Sequence, residues 1–360
     1  MYKFTWTKKE SDFKEWNQFL VSTPQGHYSQ ISHWLKSYKS YGFDYDLLIV
    51  RNEENKIIGG LGVVISKFSF LKLCSCSCGP IVKKDYTFLV EELIEHFKNR
   101  AIAINATCCQ IMIPILKFKN KNIEPHCLDI KLKKCLATSN RGNIIKSVAI
   151  VNGFREVKID NTNNNIEEDI LKTFNKNTRR NIKRAYKNEL IIKYAKTINE
   201  IKNAYRIIEL NAKTQGYPLR SWEDFKDTLI EMVNDDICLI PVCLKNEVIK
   251  GALIVIQTGK RLTYISGGTI REKEDLKTGH FLHYEMIKLS IKKKYNFYDI
   301  SVGGSKGVTK FKEGFGGNHV KFNEPLYWVL NKEKFYIYEK TIPYLKKHKK
   351  TISKIIKFFK

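Results

Sequence analysis

Two strand patterns of closely similar sequence lie far apart in the chain. Residues 55–65 read NKIIGGLGVVI and residues 246–256 read NEVIKGALIVI, with glycine and β-branched positions in common. Each pattern follows a shorter apolar strand and a charged turn, which predicts a hairpin. Each is then followed by a strand that ends at glycine, an amphipathic helix and a closing strand. The repetition of this order indicates a duplicated unit.

Helical periods complete both units. Apolar side chains recur every three or four residues before and after the strands, which is the period of one helix face. The predicted helices are residues 11–21, 30–40 and 88–100 in the first unit, and residues 197–213, 221–233 and 280–294 in the second. Each unit therefore has the predicted order α-α-β-β-β-α-β.

A short mixed sheet flanked by helices belongs to the α/β or α+β class. The polar, turn-rich residues 160–169 (DNTNNNIEED) separate the two copies. We predict a first domain of residues 1–160, completed by residues 322–360, and a second domain of residues 166–321.

The overall charge restricts the kinds of molecule that the protein is expected to bind. The 360 residues include 63 Lys and Arg against 37 Asp and Glu, a net charge of +26, and 43% of them are hydrophobic. This apolar content excludes a disordered chain, and the length exceeds what one core usually supports. The charge predicts a polyanionic partner, which is nucleic acid, an anionic membrane or a phosphorylated substrate.

The number and spacing of the cysteines predict the cellular compartment of the protein. Cys74, Cys76 and Cys78 alternate on a predicted strand, so they share one face and fit a core as small hydrophobic residues. The alternative is a metal site, but no histidine or second cysteine pair lies nearby, and we expect no metal. Free thiols fit a reducing cytoplasm, and no signal peptide or membrane-spanning run is apparent. We therefore expect a cytoplasmic protein.

Residues 172–187 (KTFNKNTRRNIKRAYK) carry dense positive charge and no acidic residue. At helical spacing the cations form a broad stripe that fits a phosphate backbone, although a solvated helix face has the same pattern. The candidate RNA-binding residues are Lys176, Arg179, Arg180, Lys183, Arg184 and Lys187.

A second basic segment, residues 340–360, contains eight lysines and no acidic residue. Its apolar residues fall largely at three- and four-residue steps. Two interpretations stay open: a basic amphipathic helix that lies on an anionic membrane, or a helix docked on the body of the protein. The first would make the protein peripheral on the inner membrane face.

A glycine-rich segment, residues 299–320 (DISVGGSKGVTKFKEGFGGNHV), follows the last predicted strand of the second unit. The order of its glycines excludes a P-loop. Lys310, Phe311 and Lys312 lie between glycine clusters beyond a strand end, where ligands often bind in open sheets. A lysine there could stabilise a developing oxyanion, and the alternative is a flexible loop with solvated lysines.

The duplicated unit and four stretches, in this order, resemble the FemABX family. The stretches are GHYSQISHWLKSYKSYGF, CGPIV, NTRRNIKRAYKN and GVTKFKEGFGG. The resemblance implies two tandem acetyltransferase-like (GNAT-like) domains and the transfer of an amino acid from aminoacyl-tRNA to a peptidoglycan precursor. The chain has no heptad stretch for the coiled-coil arm of the larger members, so it is similar to the compact, arm-less type.

The resemblance also implies roles for individual residues. Lys36, which follows Trp34, and Arg220 would hold the diphosphate of a muramyl-pentapeptide that is either nucleotide-linked or lipid-linked. Phe311 and Lys312 would lie at the reaction centre, where Lys312 would stabilise the oxyanion as the acceptor amine attacks the aminoacyl ester. No cofactor is implied, because aminoacyl-tRNA is the donor substrate.

Three positions depart from the family pattern and leave the identity of the acceptor open. Ile113 replaces an aspartate after the last strand of the first unit. Asp224 replaces a tyrosine in the second unit, and Ile265 or a neighbour stands where another tyrosine is expected.

Two other functions are weighed against aminoacyl transfer. An N-acyltransferase of the same fold would use acetyl-CoA, but Leu276 and Phe281 occupy flanking positions of the usual pyrophosphate-binding signature around Gly279. A nucleic-acid-binding protein without catalysis would explain the charge, but neither the duplicated fold nor the glycine-rich segment.

Overall fold

The structure is a computed structural model that describes residues 2–68, 70–117, 127–129, 132, 143–162, 164–272 and 274–347. In chain order the strands are β1 (Lys3–Thr7), β2 (Asp44–Arg51), β3 (Ile57–Phe68), β4 (Leu71–Ser77), β5 (Ile81–Val82), β6 (Cys108–Met112), β7 (Gly153–Lys158), β8 (Ile191–Tyr194), β9 (Cys238–Leu239), β10 (Pro241–Lys245), β11 (Val248–Thr258), β12 (Arg261–Thr269), β13 (Phe297–Asp299), β14 (Asn318–Lys321) and β15 (Leu326–Val329). The α-helices are α1 (Glu10–Ser22), α2 (Ser32–Lys36), α3 (Val90–Ala103), α4 (Ile166–Thr173), α5 (Lys176–Lys187), α6 (Ile198–Gln215), α7 (Trp222–Asn234), α8 (Thr278–Lys292), α9 (Lys306–Glu313) and α10 (Lys332–Lys347).

Two mixed sheets repeat the same arrangement. The first has the order β1-β2-β3-β4-β6-β15 with β5 beside β3, and the second has the order β14-β7-β13-β12-β11-β10-β8 with β9 beside β11. In each sheet a three-stranded antiparallel meander is followed by a crossover helix and a parallel strand, since β4 pairs in parallel with β6 and β12 with β13. The predicted order α-α-β-β-β-α-β occurs in both units, which confirms the duplication.

One strand of the first predicted domain pairs differently from the sequence expectation. Strand β7, which lies within the predicted range 1–160, pairs with β13 and β14 of the second sheet. Strand β15, from the C-terminal segment that the sequence assigns to the first domain, pairs with β6 of the first sheet. The β7 pairings join strands that are distant in sequence, so no local pattern of apolar residues indicates them. The range 1–160 therefore includes one strand of the second sheet.

One buried core joins the helices of the two units. Trp16 on α1 and Leu35 on α2 belong to the same apolar cluster as Tyr205 on α6 and Phe225 on α7. The repeated glycine of β3 makes room for this packing: a Cβ at Gly60 would lie 2.9 Å from the Trp16 ring. Because this apolar surface is buried jointly, α1 and α2 of the first unit and α6 and α7 of the second unit form one packed layer.

The cysteines of β4 are core residues. Cys74, Cys76 and Cys78 are buried free thiols. Burial raises the pKa of both Cys74 and Cys76 to about 12, so these thiols are protonated at neutral pH and poor nucleophiles. The predicted packing role is confirmed, and the described residues contain no group of His, Cys, Asp or Glu side chains that could hold a metal ion.

The described helices include none with the length and apolar character needed to cross a bilayer. Helix α10 covers the start of the predicted C-terminal basic helix. Residues 348–360, which carry the rest of that prediction, lie outside the described residues.

Candidate active site

Lys312 is buried, with 3% of its surface exposed, in the last turn of α9. The segment around it is helical, so the alternative of a flexible loop with solvated lysines is wrong at this position. Its Nζ donates hydrogen bonds to Ser301 Oγ at 2.7 Å and to the carbonyl oxygen of Gly303 at 2.6 Å. The ring of Tyr264 on β12 lies 5.2 Å from the same Nζ. The loop after β13 and helix α9 therefore hold one ammonium group between them.

The charge of Lys312 is set by its surroundings. Burial lowers its pKa to about 8, Asp299 opposes that shift, and Arg155 adds to it. Burial and the neighbouring Glu156 raise the pKa of Asp299 to about 7. Asp299 Oδ1 accepts hydrogen bonds from the backbone N–H groups of Ser301 at 2.8 Å and Arg155 at 3.1 Å. Asp299 thus shapes the loop that binds Lys312 and also compensates part of its charge.

A buried ion pair lies within the second sheet near this centre, and its arginine also contacts the first unit. Arg261 Nη1 lies 3.1 Å from Glu156 Oε1, and Arg261 Nη2 donates to the carbonyl oxygen of Gly26 at 3.1 Å. The guanidinium also lies 4.3 Å from the centre of the Phe154 ring. The hydrogen bond to Gly26 links the second sheet to the first unit. Glu156 compensates the charge of Arg261 within the second sheet, and removing either partner of this buried ion pair would leave an uncompensated charge.

Phe311 lies among aromatic rings on the other side of α9. Its ring centre is 4.9 Å from His280 and 5.4 Å from both His283 and Phe315. Burial lowers the pKa of His280 to about 4, and that of His283 well below its ordinary value. Both imidazoles are therefore neutral at pH 7, and His283 Nδ1 is already engaged with the Tyr298 hydroxyl at 2.6 Å.

A cavity of about 450 Å³ opens at the N-terminus of α8, and Phe311 forms part of its wall. Its lining includes Arg271, Glu272, Asp275, Lys277 and Gly279. Asp275 Oδ1 accepts a hydrogen bond from the N–H of Lys277 at 3.0 Å, immediately before the helix. Among the described residues, the first N–H groups of α8 itself have no side-chain cap, so the Asp275 carboxylate lies beside the helix N-terminus without occupying it.

The basic stripe lies on α5, as the helical spacing predicts. Thr178, Ile182 and Ala185 are buried against the protein. None of the six cations pairs with a carboxylate within the part of the chain that the structure describes. The exposed residues are Lys176, Arg179, Arg180, Lys183, Arg184 and Lys187.

Helix α5 borders the site described above. Asn175 at its start donates its backbone N–H to the carbonyl oxygen of Gly314 at 3.0 Å, just after α9. Further along, Asn181 Nδ2 lies 3.3 Å from His280 Nε2 at the cavity. The stripe, the cavity and Lys312 therefore belong to one continuous region of the second unit.

Arg220 lies at the junction of the two units inside a cage of aromatic rings. Its guanidinium carbon is 4.9 Å from the ring centres of Tyr38 and Phe225, 5.1 Å from Tyr41 and 5.4 Å from Trp34. The Nη1 group of Arg220 donates a hydrogen bond to the hydroxyl of Ser37. Trp34, which is predicted as a substrate-binding residue in the same motif as Lys36, forms one wall of this cage.

The Lys36 side chain contacts α1 and not the cage around Arg220. Its Nζ lies 2.6 Å from Glu10 on α1 and 4.8 Å from the ring centre of Phe13. It lines a separate cavity of about 340 Å³ between α1, α2 and α7. Within the described residues no contact joins Lys36 to Arg220, so the two predicted diphosphate ligands do not form a preassembled pair.

The three departures from the family pattern have different structural settings. Ile113 is buried in the core of the first unit, and Asp224 donates its backbone N–H to Ser221 Oγ at 3.2 Å in the first turn of α7. Beside Ile265 stands Tyr264, whose ring faces Lys312. From the sequence, Ile265 or a neighbour replaces the tyrosine expected in this strand, whereas the structure shows a tyrosine at the preceding position, beside Lys312.

Asp299 and Ser301 were also missed as site residues, although both begin the glycine-rich segment. An acidic residue at the end of a strand, next to a glycine-rich turn, was the available signal. Their role became apparent only from hydrogen bonds that join this loop to α9.

The comparison with protein families identifies the functional class of this chain. The sequence profile of the FemAB family matches residues 11–244 and 243–340. The chain belongs to the FemAB family. Members of this family are aminoacyltransferases of peptidoglycan bridge synthesis, and their substrates are in general aminoacyl-tRNA and a peptidoglycan precursor. This FemAB protein is thus an aminoacyltransferase, and the alternative of a nucleic-acid-binding protein without catalysis is wrong.

Solved structures agree on the fold. A crystal structure of FemX superposes with a TM-score of 0.74 at 14% identity and covers 92% of this chain and 99% of that one. The C-terminal domain of a putative lysylphosphatidylglycerol synthetase from Agrobacterium fabrum gives 0.53 at 11% identity, over 94% and 98% of the two chains. L-PGS from Bacillus licheniformis gives 0.52 at 10% identity, over 93% and 97%. No curated protein matches the chain in sequence. At these identities the likeness concerns the fold, which is the predicted pair of tandem GNAT-like domains.

Proposed function

We propose that this FemAB protein transfers an amino acid from aminoacyl-tRNA to the amine of a muramyl-pentapeptide, with Lys312 as the stabiliser of the oxyanion. The observation that carries the proposal is the placement of the Lys312 ammonium. It is buried and held by Ser301 and Gly303, and the preceding residue, Phe311, forms part of the wall of a cavity. The basic helix α5, whose cations have no carboxylate partner among the described residues, borders this cavity. Family membership supports the general substrate classes, and the geometry supports the finer assignment.

The ammonium group has one donor left for chemistry. A lysine ammonium has three N–H groups, and two of them are engaged by Ser301 and Gly303. The third can donate to the oxygen of the tetrahedral intermediate that forms when the acceptor amine attacks the ester carbonyl. A new C–N bond forms, the ester C–O bond breaks, and the proton lost by the amine is balanced by the one that the departing ribose hydroxyl gains. A preorganised donor in a buried site stabilises such an oxyanion without reorganisation during the reaction.

The donor fits the second unit. The six cations of α5 are exposed and unpaired among the described residues, which suits the phosphates of an RNA acceptor stem. The cavity at α8 is large enough for the aminoacyl end and leads to Phe311. Acetyl-CoA is the less favoured donor, because Leu276 and Phe281 depart from the usual pyrophosphate-binding signature and the Asp275 carboxylate lines the same cavity. We accordingly propose no cofactor.

The acceptor fits the junction between the units. Arg220 is preoriented by four aromatic rings, and a guanidinium matches the oxygens of a diphosphate in bidentate geometry. Trp34 contributes one wall of this cage. Lys36 would have to exchange Glu10 for a phosphate, which costs little because a solvent-exposed ion pair contributes about 0–1 kcal/mol.

One experiment tests the proposal directly. The protein is incubated with aminoacyl-tRNA or with acetyl-CoA, each with and without muramyl-pentapeptide, and loss of the acyl group is followed together with modification of the acceptor. We expect deacylation of tRNA that depends on the acceptor and on Lys312. Acceptor-dependent consumption of acetyl-CoA, with tRNA untouched, would overturn the assignment of the donor.

A further inference from the structure

The tip of the β3–β4 hairpin exposes two large aromatic side chains. Phe68, the last residue of β3, is 42% exposed, and Phe70, just before β4, is 53% exposed. Tight turns are usually occupied by small or polar residues that solvate well. Two phenylalanines at such a tip place apolar surface in water at the end of the hairpin.

The tip continues as an aromatic surface that ends at the proposed diphosphate site. The ring of Phe68 lies 5.4 Å from Phe43, and Phe43 lies 6.1 Å from Tyr41. Tyr41, itself half-exposed, lies 5.1 Å from the guanidinium carbon of Arg220. We call Tyr41, Phe43 and Phe68 the aromatic ladder. It connects a cation that suits a diphosphate to an apolar tip through direct ring contacts.

The border of the ladder is cationic. Lys67 directly precedes Phe68, and Lys8 and Lys39 lie 5.5 Å and 5.4 Å from the ring centre of Tyr45, two residues after Phe43; all three lysines are exposed. Asp44 pairs with Lys8 at 2.9 Å and Lys67 at 3.8 Å, and the buried Asp46 lies 3.5 Å from Lys8. Aromatic side chains within a rim of lysines are the composition that binds the interface of an anionic bilayer.

We propose that the hairpin tip docks on an anionic membrane surface and that the acceptor is therefore a lipid-linked diphosphate. This inference rests on the proposed role of Arg220. Phe68 and Phe70 enter the interfacial layer, the lysines contact lipid headgroups, and the ladder leads the diphosphate of a lipid-linked precursor from the bilayer surface to Arg220. A nucleotide-linked acceptor does not require an apolar tip beside its diphosphate site. A second copy of the chain fits less well, because two cationic rims would repel each other.

The first test measures binding alone, with the full chain and vesicles of phosphatidylcholine with or without phosphatidylglycerol. Phe68→Ser with Phe70→Ser is compared with Phe88→Ser, a control at a phenylalanine that is 62% exposed and not part of the ladder. We expect the wild type and the control to bind anionic vesicles equally. The double variant should bind at least about tenfold more weakly, because it lacks the two aromatic rings that the bilayer interface would bury.

Three results would overturn the docking surface. The wild type does not bind anionic vesicles, or the double variant binds like the wild type, or the control loses as much affinity as the double variant. A change of oligomeric state in the double variant, without a change in vesicle binding, would instead assign the tip to a second copy.

A positional measurement separates the tip from any contribution of the C-terminal segment. Phe70→Trp and Phe88→Trp are each placed in the full chain, and fluorescence quenching by lipids with brominated acyl chains is compared with that of the wild type. We expect additional quenching for Phe70→Trp only. Equal quenching of the two variants would contradict insertion of the hairpin.

Activity then separates this inference from the proposed function. Transfer is measured with a lipid-linked acceptor in anionic vesicles and with a nucleotide-linked acceptor in solution. We expect the Phe68→Ser, Phe70→Ser variant to lose transfer at least about tenfold with the lipid-linked acceptor and to keep any turnover of the soluble one. Equal activities of wild type and variant on the lipid-linked acceptor contradict the inference, whereas no transfer by the wild type to either acceptor contradicts the proposed function.

Discussion

Lys312 Nζ and Ser301 Oγ lie 2.7 Å apart and join the end of α9 to the loop after β13. This contact converts a glycine-rich stretch into a fixed support for one buried ammonium group. Ser301 itself is held by Asp299 through its backbone N–H at 2.8 Å. The position of the ammonium therefore depends on the loop geometry, and its charge depends on the groups packed around it.

Replacement of Lys312 by methionine tests the role of that ammonium. We expect kcat to fall by about 10²–10³, the usual effect of removing one oxyanion donor, while the Kd of the acceptor stays unchanged. Lys310→Met is the matched control, since Lys310 is exposed on the same helix. Turnover of Lys312→Met near that of the control would contradict the oxyanion role, and a large rise in the acceptor Kd would indicate a binding role instead.

The pH dependence of Asp299→Asn tests how Lys312 keeps its proton. Asparagine retains an oxygen that accepts the same backbone hydrogen bonds, but it removes a negative charge that raises the pKa of Lys312. The Lys312 pKa, about 8 in the wild type, should therefore fall in the variant, so that the ammonium is lost at lower pH. Arg155, which also lowers this pKa, is unchanged.

The kcat/KM of the variant divided by that of the wild type isolates the effect of Asp299 on the Lys312 pKa. Titration of the acceptor amine affects both enzymes equally and therefore cancels in this ratio. Below the Asp299 pKa of about 7 the wild-type carboxyl is itself protonated, so the ratio should be constant there. It should fall as the pH rises above that value, since only the wild type then gains the carboxylate charge. A ratio independent of pH would mean that Asp299 acts on the loop alone.

Much of this site was predictable from sequence because its parts are local patterns. The cations of α5 recur at helical spacing, and Lys312 follows a strand end in a glycine-rich segment, so both features can be located without tertiary contacts. The repeated strands around Gly60 and Gly251 likewise indicate the duplicated fold.

The remainder depends on contacts between distant segments. Arg261 pairs with Glu156 across two strands and reaches Gly26 in the first unit, which no spacing along the chain encodes. The pairing of β7 with the second sheet has the same origin. The direction of Lys36 was also hidden, because the short helix α2 turns it toward Glu10 while Trp34 faces Arg220.

Substitution of Arg220 tests the acceptor site. We expect Arg220→Ala to raise the KM of the acceptor by about tenfold or more, the effect of losing a charge-assisted hydrogen bond, with a smaller change in kcat. Lys36→Ala should raise the same KM less, because its ammonium must first leave Glu10. Lys56→Ala, at an exposed lysine of the β2–β3 turn, is the control. Unchanged acceptor affinity in both Arg220→Ala and Lys36→Ala would remove the assignment of the diphosphate.

Reversal of charge on α5 tests the donor site. Arg180→Glu with Lys183→Glu should lower kcat/KM for aminoacyl-tRNA and leave the KM of the acceptor unchanged. The slope of log affinity for tRNA against log salt should become shallower by about 1 for each phosphate that the variant no longer neutralises. Lys83→Glu with Lys84→Glu changes the net charge equally at exposed positions of the first unit. Equal effects of both double variants would indicate a general effect of charge and not a tRNA-binding surface on α5.

Substitution of Gly279 by progressively larger side chains should fill the cavity at α8. A Cβ at this position would lie 3.5 Å from the Phe311 ring, an ordinary contact, so Gly279→Ala should keep nearly normal activity and fold at least as stably. Leucine would project further into the cavity beside Phe311, where the aminoacyl end of the donor is proposed to lie. We expect Gly279→Leu to reduce kcat/KM for aminoacyl-tRNA strongly while acceptor binding and the thermal unfolding midpoint stay close to those of Gly279→Ala. Because the added atoms enter a space and not the core, a similar activity of the two variants would mean that the aminoacyl group approaches Lys312 by another route.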